Sequence, residues 1–453
     1  MISLSARSGP LKPTEPPKSG LAGAALGTTA KSSPPPLKGA KASRALRYQA
    51  QSQAREILQG EARRRAPGKY PGDVFRTADC RYVSFSDVEV NYSPEFQAAH
   101  YSGLVSCGSV WACPVCASKI QERRRLEIEH AIQWAESEGL VPVMVTFTFP
   151  HQSWQRLRDL IRQQRQAFKL LRKGKAWDRL KARGGLIRSL EVTHGRNGWH
   201  PHTHELWFCD PDNLPTYDRL VPLWESACRR AGLLTYRPDD PGTSMRWVAF
   251  MEHSVDVKLD MTAGDYLAKQ DDSRSWGFSH EVAKATSKVG RAKGVHPHHF
   301  LVRKAPGDRE RFLEYVDAMK GSRQLFWSPG LKDRCQLQDL DDNQVAEESR
   351  EDADLLATLT HAQWSLVRGN DARAELLDAA EAEGLPGIRA LLAALGDSPP
   401  ASPDPDAPPP GPLLGWSLAQ RRDSPGGARE AGSCSGDARD GSPQASPVGP
   451  PPW

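Results

Sequence analysis

The chain has 453 residues, of which 38% are hydrophobic, with 37 glycines, 37 prolines and a net charge of +5. That length allows two or three domains at roughly 100–200 residues each, and the low apolar share leaves part of the chain expected to be unfolded. No run reaches the ~18 apolar residues of a membrane span and no apolar signal core follows the N-terminus, so neither a membrane protein nor a secreted disulfide scaffold is expected. The charge is uneven. Residues 1–338 carry 52 basic and 35 acidic side chains, whereas 339–453 carry 8 and 20. A positive body suits a polyphosphate partner, because each neutralised phosphate releases a condensed counterion; a solvated surface gives the same balance.

Taken in chain order, residues 1–74 read as a basic, largely disordered arm, with eight Lys/Arg and the run Pro34, Pro35, Pro36 in the first fifty positions. Ile120, Ile128, Ala131, Ile132 and Ala135 stand at helical spacing and predict a helix over 118–137. Val141 to Phe149 alternates, with Thr146 and Thr148 opposite the apolar set, and predicts a half-buried strand ended by Pro150. A second long helix is expected from Trp154 to Leu171, inside a stretch (154–183) that holds eleven Lys/Arg against two Asp. Leu186–His194 and His202–Phe208 read as two strands of a hairpin turning at Gly195–Gly198. A helix at 215–232, a strand at 246–250 and a short helix at 262–270 follow. Residues 336–397 read as an acidic helical region, including a helix from Asn370 to Gly384, and 398–453, with fourteen prolines, as a disordered tail. The antiparallel hairpin makes α+β the expected class for the folded body at 75–335.

Cys113 and Cys116 have the two-residue gap that lets two thiolates meet one tetrahedral zinc. Cys107 can supply a third ligand, and Cys80 or His100 the fourth, with Cys80 preferred. Residues 75–120 are thus a candidate structural zinc segment. The alternatives are a redox pair, which wants a thioredoxin-like setting, or isolated buried thiols.

His202 and His204 stand two apart on a strand and so share a face. Pairing His194 with Trp199 sets Glu191 opposite His202 on that face, a cross-strand neighbour. Two imidazoles and one carboxylate on a rigid sheet form a half-open site for a divalent cation; two structural imidazoles are the plainer alternative. His200 has the same parity but precedes Pro201. His296, His298 and His299 lack a nearby acid and read as a loop or a nucleic-acid contact. Tyr266 and Lys269 stand at i and i+3 on one predicted helical face. A phenol facing a phosphate neutralised by a metal and a Lys can attack phosphorus, although a Tyr packed in the core is the commoner outcome.

The order of Cys107–Ile120, Thr146–His151, Trp199–His204 and Tyr266–Lys269 resembles the rolling-circle replication initiators of small bacterial plasmids, within the HUH endonuclease superfamily. The resemblance covers about 75–335. It implies a ferredoxin-like or RRM-like antiparallel sheet with packed helices over 121–335, and Mg²⁺ or Mn²⁺ held by His202 and His204. It further implies that Tyr266 attacks the origin strand, single-stranded or extruded as a hairpin, and that Lys269 orients the phosphate. The products would be a 5′-phosphotyrosine and a free 3′-hydroxyl primer, made in the bacterial cytoplasm with a host helicase and polymerase as partners. One departure is visible: Thr262 stands where related initiators can carry a terminating Glu, with Asp260, Asp265 or Glu252 as substitutes. The competing readings are an HUH-type transposase, a non-catalytic zinc-stabilised DNA-binding protein and a small-molecule metallohydrolase.

Overall fold

A computed structural model of the protein describes residues 39–235, 239–259, 294–347 and 353–397. The chain enters through α1 (Gly39–Arg65), whose narrow stripe of Ala50, Ala54, Leu58 and Ala62 is fully buried, the first three in the main core. This corrects the expectation of a disordered arm reaching residue 74. The stripe is built mostly of alanine, which adds little hydrophobicity but lets a helix approach closely. Gln51 is buried with it and donates to the Cys80 carbonyl at 2.5 Å.

β1 (Ser84–Ser93) and β2 (Ala98–Leu104) then form an antiparallel hairpin. α2 (Pro114–Ser137) begins where Cys113 adopts an extended conformation and Pro114 takes the first helical position, where a missing N–H costs nothing. β3 (Val141–Phe147), α3 (Leu157–Leu171), β4 (Leu186–Gly195), β5 (Gly198–Cys209), α4 (Tyr217–Ala231), α5 (Pro241–His253) and β6 (Val255–Lys258) follow. α6 (Asp308–Met319) and β7 (Leu325–Trp327) complete the second sheet. Its order is β6-β3-β5-β4-β7, antiparallel throughout. Taking β3, β4, β5 and β6 as four successive strands gives the order 4-1-3-2, with α3 and then α4 in the connections. That is the ferredoxin-like arrangement, α+β as expected. No helix among the described residues is long and apolar enough to cross a membrane.

The expected strand at 246–250 lies instead inside α5. Trp247, Val248 and Phe250 favour a strand by composition, but Asp240 caps the Gly242 N–H at 2.9 Å and Pro241 starts a helix. The acidic region at 336–397 is also more than helical. It contributes β8 (Asp354–Leu359), which pairs antiparallel with β1 and makes a three-stranded sheet, β2-β1-β8. α7 (His361–Gly369), α8 (Arg373–Glu383) and α9 (Leu385–Ala394) follow, and buried side chains of all three join a core containing Val90, Tyr101 and Trp364. Asn370 closes α7 instead of capping α8, which starts after Ala372 without a side-chain cap. The fully buried Arg373 ties this region to α1 through Gln51 and Ser52. The expected helix at 262–270 and the tail at 398–453 lie outside the described residues, as do residues 1–38.

The two faces of the larger sheet have different fates. Val143, Val145, Phe147 and Trp207 point toward α3 and α4, where Phe147 meets Phe168 edge-on at 5.6 Å between ring centres. On the other face, Met144, Ile187, Leu206 and Phe208 pack beneath Ile128, Ala131, Ile132 and Ala135 of α2. β3 is therefore buried on both sides at that end, beyond the half-burial expected. α2 covers only this end, and further along the same face the side chains are polar.

Candidate metal centres

The uncovered end of that face carries the histidines. The β4–β5 register pairs His194 with Trp199 and Glu191 with His202, as the hairpin reading required, and β3 pairs Thr146 with His204. Parity then puts Glu191, His200, His202, His204 and Thr146 on one surface. Glu191 Oε2 lies 3.1 Å from His202 Nε2 and 3.3 Å from His204 Nε2. One ligand atom from each of the three fits within 4.8 Å of the others, a group able to hold a metal ion.

Both rings are fixed from behind. His204 Nδ1 is 3.0 Å from the Thr146 hydroxyl, and His202 Nδ1 is 3.3 Å from the His200 carbonyl. Each imidazole thus uses Nδ1 as an anchor and turns Nε2 into the group, as metal-binding histidines do. Burial pushes the Glu191 carboxyl upward, but hydrogen bonds and charge from His202 and His204 outweigh it and hold the group well below the usual carboxylate range. For His202 burial favours the neutral ring, and the contact with Glu191 reverses the balance and raises it. Thr146 entered the sequence analysis only as a strand residue opposite the valines and as the start of the Thr146–His151 stretch, with no role at the site. The partner strand had to be known before its parity named His204.

His200 shares the face but turns to His151 and Thr148, with Nδ1 3.3 Å from His151 Nδ1. Burial, with the charges of His202 and His151, pushes it down to about 3. It is not in the three-residue group. The 296–299 cluster is no surface contact either: His296 and His298 are buried, and His298 Nε2 stands 2.7 Å from the Trp111 carbonyl. Tyr266, Lys269, Asp260, Thr262 and Asp265 lie outside the described residues.

The second group joins segments far apart in sequence. Cys80 follows a short turn at Arg76–Ala78, Cys107 lies beyond β2, and Cys113 and Cys116 sit at the cap and first turn of α2. The four sulfurs lie within 4.8 Å of one another, with Cys80 at 3.6 Å from Cys113 and 3.4 Å from Cys116. Tetrahedral zinc with bonds of ~2.3 Å would set its sulfurs roughly 3.8 Å apart, so the spacing fits. Cys80 fills the fourth position. His100 pairs with Asn91 across β1–β2 and is outside the group. The Ser109 and Cys116 N–H groups donate to the Cys107 and Cys113 sulfurs, both at 3.5 Å. Hydrogen bonds led by Cys107 hold the Cys116 thiol well below its usual range and push Cys80 and Cys113 well above it. Four thiols this close cannot all ionise without a cation among them. Cys209, Cys228 and Cys335 are buried core residues with free thiols.

Residues 105–232 match a family described as replication protein. That span contains Cys107, Cys113, Cys116, Glu191, His202 and His204. The chain is 27% identical to Protein rep of Streptomyces lividans, over 51% of this chain and 63% of the relative. It is 30% identical to the Neomycin resistance protein of Streptomyces cyanogenus, over 32% of this chain and 42% of the relative. It therefore spans less than two thirds of either relative. No solved structure matches. The resemblance to plasmid replication initiators thus rests on a family match across all the metal-capable residues except Cys80, as well as on the motifs.

Proposed function

We propose that this chain initiates rolling-circle replication of a plasmid in the bacterial cytoplasm, nicking single-stranded origin DNA through a tyrosine nucleophile. The observation that carries the reading is the Glu191–His202–His204 group, on the open end of a ferredoxin-like sheet and inside the replication-protein match. The carboxylate oxygen suits Mg²⁺ or Mn²⁺ while the two imidazole nitrogens favour a transition ion, so the set fits Mn²⁺ better than Mg²⁺; either ion, when bound, would polarise a phosphoryl oxygen.

The chain's own residues do the rest. Thr146 and the His200 carbonyl hold the two rings in place, so that little reorganisation is needed when the scissile phosphate arrives. Tyr266 supplies the attacking phenol oxygen. Its bond to phosphorus forms as the bond to the 3′-oxygen breaks; the phenol gives up its proton and the leaving 3′-oxygen takes one up, so the products are a 5′-phosphotyrosine and a 3′-hydroxyl. Lys269, three residues on in the sequence, offsets the phosphate charge. The Cys80–Cys107–Cys113–Cys116 group would hold structural Zn²⁺, and host helicase and polymerase would extend the freed end.

The test is to incubate the chain with single-stranded origin DNA and Mn²⁺ and look for a covalent adduct. An adduct mapped to Tyr266 supports the reading; DNA binding without cleavage supports a non-catalytic DNA-binding protein instead.

A further inference from the structure

Trp154 belongs to neither metal group, and its setting does not suit a core residue. It was expected to open a buried helical stripe, yet α3 starts at Leu157 and the indole is 78% exposed. The loop beneath it is firmly held. The Gln152 N–H donates to Gln155 Oε1 at 2.7 Å, and the Gln155 N–H returns to the Gln152 carbonyl at 3.1 Å. The hairpin turn presses against the same loop at Gly198, where φ is +83° and a Cβ would stand 2.8 Å from the Ser153 Cα. Such a loop presents its indole as a fixed platform.

A cleft of about 780 Å³ opens beside the platform, lined by Trp154, Arg156, Arg162 and Arg246 among others. Asp159 is the one carboxylate among the described residues of the lining, and it is paired with Arg162 at 3.0 Å. On the other side of the loop, a hollow of about 500 Å³ is lined by His151 and His200, next to His202 on the sheet face. Trp154 is three positions beyond His151, at most about 11 Å of chain. An exposed indole flanked by guanidinium groups suits a strand with flat bases and regular negative charges better than an apolar peptide.

We propose that Trp154 stacks on a nucleobase of the single strand held at the Glu191–His202–His204 site, while Arg162 and Arg246 neutralise adjoining phosphates. This rests on the function proposed above and adds to it a positioning residue and a path for the strand. The stack needs a base and no salt; the arginines need a phosphate and no base. The two contributions can therefore be separated.

The experiment measures binding of the full chain to a fluorescein-labelled single-stranded oligo-dT and to an abasic strand of equal length, across a salt series. Trp154→Ala is expected to weaken oligo-dT binding about five-fold or more, with an unchanged salt slope and unchanged binding to the abasic strand. Trp154→Phe should restore most of the loss. Arg162→Gln or Arg246→Gln should instead flatten the salt slope by roughly 0.7 each. Because Trp154 is exposed, the variants should melt with the wild type. Equal oligo-dT affinity for wild type and Trp154→Ala, or an equal loss on the abasic strand, overturns this inference while leaving the nicking reading intact. A wild-type chain that neither binds nor cleaves single strands overturns both.

Discussion

The two metal-capable groups differ in every property that separates a structural centre from a reactive one. The cysteine group has four soft ligands, drawn from three segments and at most 6% exposed. The Glu191–His202–His204 group has three ligands from one hairpin, with side chains 13–31% exposed, and lies on the end of its sheet face that α2 does not cover. Four thiolates complete a tetrahedron and leave no position for a substrate, whereas three donors on an open sheet leave positions free. Removing the first should therefore unmake the fold, and removing the second should spare it.

The largest effect is expected at Cys113. It caps α2, accepts the Cys116 N–H and is fully buried, so Cys113→Ser should cost zinc and fold together. A loss of several kcal/mol would lower the melting temperature by on the order of 10 °C. A zinc-free protein that melts with the wild type would break the comparison on this side. Tyr266→Phe comes next, since it removes only the attacking oxygen: adduct formation should vanish while DNA binding persists. A nucleotide mapped to any other tyrosine refutes the assignment.

His202→Ala and His204→Ala sharpen the contrast. Each removes one ligand from a surface already half open, so nicking should be lost with little change in melting temperature. Brief chelation with EDTA should copy them, stopping cleavage at once while the buried cysteine group keeps its zinc. If EDTA and either His variant lower the melting temperature as far as Cys113→Ser does, the histidine group is structural and the comparison fails.

How much of this was legible in the sequence follows from the range of the interactions. The Glu191–His202 pair was readable because a two-residue turn fixes a hairpin's register, and parity does the rest. The cysteine set was readable from the gap between Cys113 and Cys116, and the fourth ligand needed the fold, which brings Cys80 in across 33 residues. α1 was missed because its buried stripe is alanine, and β8 because an exposed edge strand such as Asp354–Leu359 lacks a clean alternation and finds its partner more than 250 residues away. The run at 246–250 was misread because propensity was weighed above the Asp240–Pro241 start signal. Local signals survived, and pairings between distant segments did not.

The smallest expected effect tests the shell behind the histidines. Thr146 Oγ1 is 3.0 Å from His204 Nδ1, and β3 places it there because residues 146 and 204 are direct cross-strand partners. Thr146→Val keeps the branched shape in a strand that favours it and deletes only the hydroxyl. His204 then loses the contact that holds its ring and turns Nε2 toward Glu191. Lost anchors of this kind typically cost about 10–100-fold in metal affinity or activity. The expected outcome is a raised Mn²⁺ requirement for nicking, largely rescued at high Mn²⁺, with an unchanged melting temperature. Rescue separates Thr146→Val from His204→Ala, which lacks the ligand itself and should stay inactive at any metal concentration. If Thr146→Val titrates with Mn²⁺ as the wild type does, His204 needs no anchor from β3, and the open centre is held by its hairpin alone.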